Sequence, residues 1–422
     1  MARYPGRNVA CIGLAITLLT PALAAGDDWP QFMGPTRDGQ SAEKGLLLTW
    51  PEEGPTELWR KTLGPAFSGA AVVGDRLYSG TSDDEFDYAF CADAASGKEI
   101  WRTTIGPVWV NNFGNGPRTT PTVADGTAYI VSGQGYLSAL ATDDGARRWT
   151  FDLKERYGLE QMHFGFSTAP LVLGDLLLVE VGGDGSSLVA FDRATGEERW
   201  RAAKGLAAYG SPVQVGFGGV DQLVYVNQND VVSVSHEGEV VWTHPFAPGD
   251  SVKPALPIFV EPDLLFVSAS YDIGAMALRM QAADGKIAVE PVWESKVMRN
   301  HFNSSVTLDG HIFGFDNATF KSIEAATGDQ KWAQRGRMGK GSLIYADGHF
   351  LVLTETGRLL LVEANPEAFV EKAAVQVMEG RCWTSPTLAD GRLFLRNREE
   401  MVALDLRSGQ SSAATTAKGS AR

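Results

Sequence analysis

The sequence predicts an all-β fold: an eight-bladed β-propeller of four-stranded antiparallel blades, with the ring closed by an N-terminal strand in the last blade. Three observations predict it. A Gly–Trp unit recurs along the chain, an Asp-Gly hairpin signal accompanies it, and a segment resembling the end of a blade stands at the front with no blade before it. Composition agrees: 422 residues, 47 of them Gly, 44% hydrophobic and 21% charged. That balance favours short strands and tight turns over helical bundles.

In chain order, residues 1–25 read as a secretory signal peptide. Arg3 and Arg7 precede an apolar run from Val9 to Leu19, Pro21 breaks it, and Ala22, Ala24 and Ala25 offer small residues for cleavage. The run is too short to span a bilayer, and no later segment reaches 18 apolar residues, so no transmembrane segment is expected. Cys11 precedes most of the apolar run instead of following it, so no lipid anchor is expected. Losing Arg3 and Arg7 takes the formal charge from −14 to −16. A chain this acidic is a poor partner for nucleic acid or an anionic membrane. Residues 26–54 are rich in Pro and Gly and are expected to drape over one face of the propeller as an N-terminal extension.

The repeat occupies residues 55–410. A turn ending in Gly is followed by Trp at Gly97 and Trp101, Gly145 and Trp149, Gly196 and Trp200, Gly238 and Trp242, and Gly328 and Trp332, with a stretched copy from Gly285 to Trp293. Successive Trp lie 42, 48, 51 and 42 residues apart from Trp59 to Trp242, near the period of a four-stranded blade. Asp125-Gly126, Asp309-Gly310, Asp347-Gly348 and Asp390-Gly391 sit between apolar runs and signal hairpins. Trp59, Trp101, Trp149, Trp200, Trp242, Trp293 and Trp332 are read as structural wedges between blades. The seventh unit has no Trp and takes a degenerate outer strand from 367–378. The eighth stops before any Trp. Its missing strand is residues 55–61, containing Trp59, which closes the ring and removes the exposed edges. Eight blades then take about 44.5 residues each. Residues 411–422 are small and polar and are expected to be a disordered tail.

The Thr-Gly-x-x-x-Trp repeat resembles that of PQQ-type propellers, the quinoprotein alcohol dehydrogenase-like superfamily. Residues 29–39, WPQFMGPTRDG, resemble the leader of bacterial PQQ-binding-like repeat proteins of the BamB outer-membrane assembly type. The resemblance implies an eight-bladed ring in the periplasm. It covers both quinone-dependent dehydrogenases and noncatalytic scaffolds. Two features of the alcohol dehydrogenases are missing: adjacent cysteines under the cofactor, and a Glu, Asn and Asp set around Ca²⁺. The acidic stretch from Thr81 to Asp87 is read as a solvated hairpin loop. Of the mature cysteines, Cys91 and Cys382 are either bonded or separately buried, and the sequence leaves both open.

Function is sought where the blades begin. In register these positions are Phe67-Ser68, Arg118-Thr119, Phe166-Ser167, Tyr209-Gly210, Val252-Lys253, Phe302-Asn303, Gly339-Lys340 and Trp383-Thr384. His163, His301 and Arg381 lie just upstream. The ligand-binding candidates are therefore Arg118, Lys253, Asn303, Lys340, Arg381 and Trp383. Converging cations among aromatic rings suit a small anionic ligand or a protein partner at the channel mouth. His163 and His301 are the general-base candidates if there is chemistry. No metal site is assigned and no cofactor is expected. The leading reading is a monomeric, exported, noncatalytic binding or scaffold protein. The alternative is a dehydrogenase oxidising an alcohol or sugar with PQQ and Ca²⁺.

Overall fold

The computed structural model describes residues 27–249, 252–336 and 338–408. The signal-peptide and tail readings, 1–25 and 411–422, lie outside them. The described residues form eight four-stranded antiparallel sheets. Blades 1 to 7 span 71–107, 122–152, 171–205, 213–245, 258–295, 306–334 and 342–376. Blade 8 joins Thr387–Ala389, Arg392–Arg396 and Glu400–Asp405 to the strand Thr56–Thr62 from the front of the chain. That strand runs antiparallel to Glu400–Asp405, from Thr56 opposite Asp405 to Thr62 opposite Glu400, with a bulge between Glu57 and Trp59.

Local chemistry explains the blades. Asp125, Asp309, Asp347 and Asp390 all take positive φ, as do the glycines that follow them. This is the conformation for which Asp-Gly is selected in two-residue hairpins. The middle strands are covered on both faces and read as unbroken apolar runs; every residue of Leu264–Ala269 is buried. Outer strands are largely exposed, and Lys286–Ser295 buries only Ile287.

The repeated Gly and Trp act between blades. A side chain on Gly97 of blade 1 would meet the ring of Trp59 from blade 8 at 2.7 Å, and Gly145 stands in the same relation to Trp101 at 2.6 Å. The indole N–H of the same Trp donates to a carbonyl of the next blade. Trp59 reaches Ala94 O at 2.9 Å, Trp101 Thr142 O at 2.8 Å, Trp293 Ala325 O at 2.8 Å, and Trp332 Asn365 O at 3.0 Å. Trp242 departs from this pattern. Its N–H donates to the buried Gln222 Oε1 of its own blade at 2.8 Å. The blade 5 hairpin it would have reached is built from strands of ten residues, and Gly285 at its tip meets nothing within 4 Å.

Residues 29–47 form a strap across the end of the ring opposite the blade-opening residues. It bridges Trp29 to Val72 and Gln40 to Tyr345 on innermost strands, and Leu46 to Arg407. Arg37 is the strap's anchor. It is buried, and its guanidinium donates to the carbonyls of Ala169, Pro170 and Pro212 and to Gln31 Oε1. Cys91 and Cys382 are both buried free thiols. Burial raises them to about 11 and about 12 respectively.

Candidate functional site

The connections entering the eight innermost strands converge on one cavity of about 390 Å³. Phe67, Arg118, Ser167, Tyr209, Val252, Phe302 with Asn303, Lys340, and Trp383 with Thr384 all line it, so every blade contributes. Phe32 of the strap also lines it. Among the described residues, no Asp or Glu does.

Lys340, His301 and Trp383 form the polar wall. Lys340 Nζ lies 2.9 Å from His301 Nε2. It stands 5.7 Å from the centroid of Phe302 and 6.0 Å from that of Trp383, within cation–π range. Burial, then the Lys340 charge, push His301 down to about 4, so the ring is neutral at neutral pH. A neutral ring accepting from the Lys340 ammonium at Nε2 carries its own proton on Nδ1. That Nδ1 is buried without a partner. The basic nitrogen of His301 is occupied by Lys340. Glu355 fixes this wall from behind: Oε1 accepts from Trp383 Nε1 at 2.8 Å and Oε2 from Lys340 N at 2.9 Å. Arg381 lies over Trp383, 4.4 Å from its centroid, and donates to Phe113 O at 3.2 Å.

Arg118 holds the opposite side. It donates to the carbonyls of Gly114 and Gly116 and sits 5.6 Å from the Phe67 centroid. Burial lowers it to about 10. The sequence places Asp87 in a solvated loop, and the structure corrects this. Asp87 is in the strand Phe86–Asp93, fully buried, and accepts from Gly133 N at 3.1 Å and Trp109 N at 3.4 Å. It anchors the connection that carries Arg118. Burial raises its carboxyl to about 7, whereas an unfolded aspartate titrates near about 3.9. Between those values the unfolded chain releases a proton that the folded chain keeps, so stability falls as pH rises through that window and levels off above it. Asp87→Asn is expected to flatten this decline. Thermal unfolding of both proteins from about pH 4 to 8 checks it, and an unchanged slope would contradict the assignment.

The remaining predicted residues divide. Asn303 lines the cavity but is buried and spends its amide on Gly341 O at 2.7 Å. Lys253 is not at the mouth. It is buried behind the wall, bonded to Gln228 O, and electrostatically coupled to the buried Glu180. It occupies the register of Ser68 and Thr119, which are also buried. His163 is exposed and lies outside the cavity lining, its ring edge-on to Phe164 at 4.5 Å. Phe113, Phe164 and Tyr271, all cavity-lining, were not anticipated. Phe113 and Phe164 come from connections between blades and Tyr271 from a hairpin within blade 5, and only the proximity of Phe164 to His163 hinted at one of them.

Among the described residues no three His, Cys, Asp or Glu side chains come together as a metal site, and both oxygens of Glu355, the carboxylate behind the wall, are already engaged.

Comparison with known proteins supports the fold. The family model described as outer membrane protein assembly factor BamB matches residues 51–288. The structure of BamB from Moraxella catarrhalis superposes with a TM-score of 0.59 at 14% identity, covering 85% of this chain and 99% of that one. The quinohemoprotein alcohol dehydrogenase ADHIIG from Pseudomonas putida HK5 gives 0.60 at 12% identity, covering 93% and 82%. The serine/threonine-protein kinase AfsK of Streptomyces griseus is 29% identical over 191 residues, which is 42% of this chain. The chain spans only 22% of that kinase.

Proposed function

We propose, from the premise that this chain belongs to the family of outer membrane protein assembly factor BamB, that it is a noncatalytic binding and scaffold propeller. In this reading it is exported to the periplasm, serves outer-membrane protein assembly, and receives an anionic ligand at its channel mouth. One observation carries it: Lys340 and Arg118 face a cavity walled by aromatic rings, with no lining carboxylate among the described residues. A cation in such a wall favours an incoming anion. The histidines argue against a dehydrogenase. His163 stands outside the cavity, and the accepting nitrogen of His301 is taken by Lys340. The leader sequence supports export, and among the described residues no helix is long and apolar enough to cross a membrane.

Benzoate is expected to raise the melting temperature, less so at high salt, and the Lys340→Ala, Arg381→Ala double variant is expected to lose that response with little change in its own melting. Protein mixed with PQQ and Ca²⁺, then desalted, is expected to reduce no dye with alcohols or sugars. Stoichiometric, calcium-dependent retention with turnover would replace this reading with the dehydrogenase. Export is checked by recovering the protein from a periplasmic extract with its N-terminus at Gly26.

A further inference from the structure

The cavity is one part of a larger surface. Among the described residues, seven large apolar side chains are exposed, and four belong to segments framing this mouth: Val110 at 63%, Phe113 at 46%, Leu206 at 54% and Tyr271 at 54%. Val110 and Phe113 lie in the connection between blades 1 and 2, which also supplies Arg118. Leu206 lies in the connection between blades 3 and 4, just before the cavity residue Tyr209. Tyr271 turns between two strands of blade 5 at a φ of 53°, a conformation a non-glycine residue rarely adopts without a reason. Apolar groups ringing a concave site mark a surface that another molecule covers.

Size separates the two kinds of occupant. Phe113 and Tyr271 line the cavity, but Val110 and Leu206 do not. A small molecule confined to about 390 Å³ would leave both in water. An occupant that enters the cavity and also covers Val110 and Leu206 must continue out of the mouth on either side, as an extended polypeptide does. Its chemistry follows from the wall. Among the described residues, the side-chain cations of Lys340, Arg118 and Arg381 each have no carboxylate within 4.0 Å; they bond to His301, to carbonyls and to aromatic faces. They call for carboxylates from outside. The ring-lined interior, with Phe67, Phe113, Phe164, Tyr271, Phe302 and Trp383 around it, calls for a flat, apolar side chain.

We propose that the channel mouth binds an acidic polypeptide segment of a partner protein, with an aromatic side chain seated in the cavity. Carboxylates flanking that side chain meet Lys340, Arg118 and Arg381. The chain on either side covers Val110, Phe113, Leu206 and Tyr271. This rests on the anion-binding reading of the same cavity and narrows its occupant.

The test uses a fluorescein-labelled, amide-capped heptapeptide with Asp-Trp-Asp at its centre and Gly and Ser flanks, titrated with the mature protein by fluorescence anisotropy. Saturable binding is expected. Replacing Asp-Trp-Asp by Asn-Trp-Asn or by Asp-Ala-Asp should weaken it about tenfold or more, as should Lys340→Ala in the protein. Val110→Ser with Leu206→Ser, both exposed and checked for an unchanged melting curve, should weaken the peptide about threefold or more and leave benzoate unaffected. Absence of peptide binding, or equal binding of the Asn peptide, would overturn the proposal. If benzoate still binds in a Lys340-dependent way, only the polypeptide occupant falls; if neither probe binds, the anionic site falls with it.

Discussion

Trp59→Ala is expected to destabilise the protein by about 3–5 kcal/mol, the range for truncating a buried Trp, although Trp59 is outside the cavity lining. The ring sits at the seam where the chain meets itself. It packs on Phe394 of blade 8 at 5.9 Å, against the tip of the blade 1 hairpin at Gly97, and donates to Ala94 O. Its removal leaves a cavity on both sides of the seam and an orphaned carbonyl. Other contacts also cross this seam. Arg396 of blade 8 is buried and donates to Ser68 O, Ser79 Oγ and Gly80 O of the blade 1 region at 3.2, 3.0 and 2.6 Å. These keep the ring joined in part when the Trp is removed, so in the Trp59→Ala variant partial opening at this one place is expected before global unfolding. Hydrogen exchange should show 56–62, 90–97 and 400–405 losing protection ahead of the other blades. Ile100→Ala, at an exposed site on the adjoining outer strand, should change stability by less than about 0.5 kcal/mol. Uniform loss of protection around the ring would show that the seam is no weaker than any other blade boundary.

The same residues show why the fold was legible in the sequence and the site only partly so. Every blade must bury a sheet face against its neighbour, so a Trp and the Gly beneath it recur at fixed spacing, and Trp59 without a blade of its own reveals the closure. Nothing repeats at the channel mouth. The register of blade openings marks which residues reach the axis. It does not say which way each side chain turns, because neighbouring positions on an extended chain face opposite sides. Val252 faces the cavity and Lys253, one residue on, is buried behind it. Lys340 escapes that fate because Gly339, with φ of 59°, turns the chain before it. Trp242 looks like its fellows in sequence but bonds to Gln222, because the hairpin of the next blade is longer. The Asp87 carboxyl looked like one more acid in a loop. Its burial depends on Gly133, 46 residues on and in the next blade, which no local reading of 81–87 contains.

Arg37→Met is expected to cost several kcal/mol and to release the strap, because it leaves the carbonyls of Ala169, Pro170 and Pro212 without this donor, at about 1–3 kcal/mol for each buried group left unsatisfied. A guanidinium with no carboxylate beside it is costly to bury, and burial lowers Arg37 to about 9. The cost is tolerated because the ring needs donors there. The innermost strand of each blade turns an open edge to the axis, and Ala169, Pro170 and Pro212 present carbonyls just where the innermost strands of blades 3 and 4 begin. Arg37 satisfies them with one planar fork. Arg37→Lys, a point charge on a flexible stem, should recover only part of the loss. The strap also carries Phe32 into the cavity. Its release should therefore weaken benzoate binding at the mouth, although Arg37 itself is not among the cavity-lining residues. Limited proteolysis should cut between residues 27 and 50 sooner in the Met variant than in the parent. A Met variant with an uncut strap and parental stability would mean that the backbone bridges at Trp29, Gln40 and Leu46 hold the strap unaided. The channel floor would then owe nothing to the buried charge.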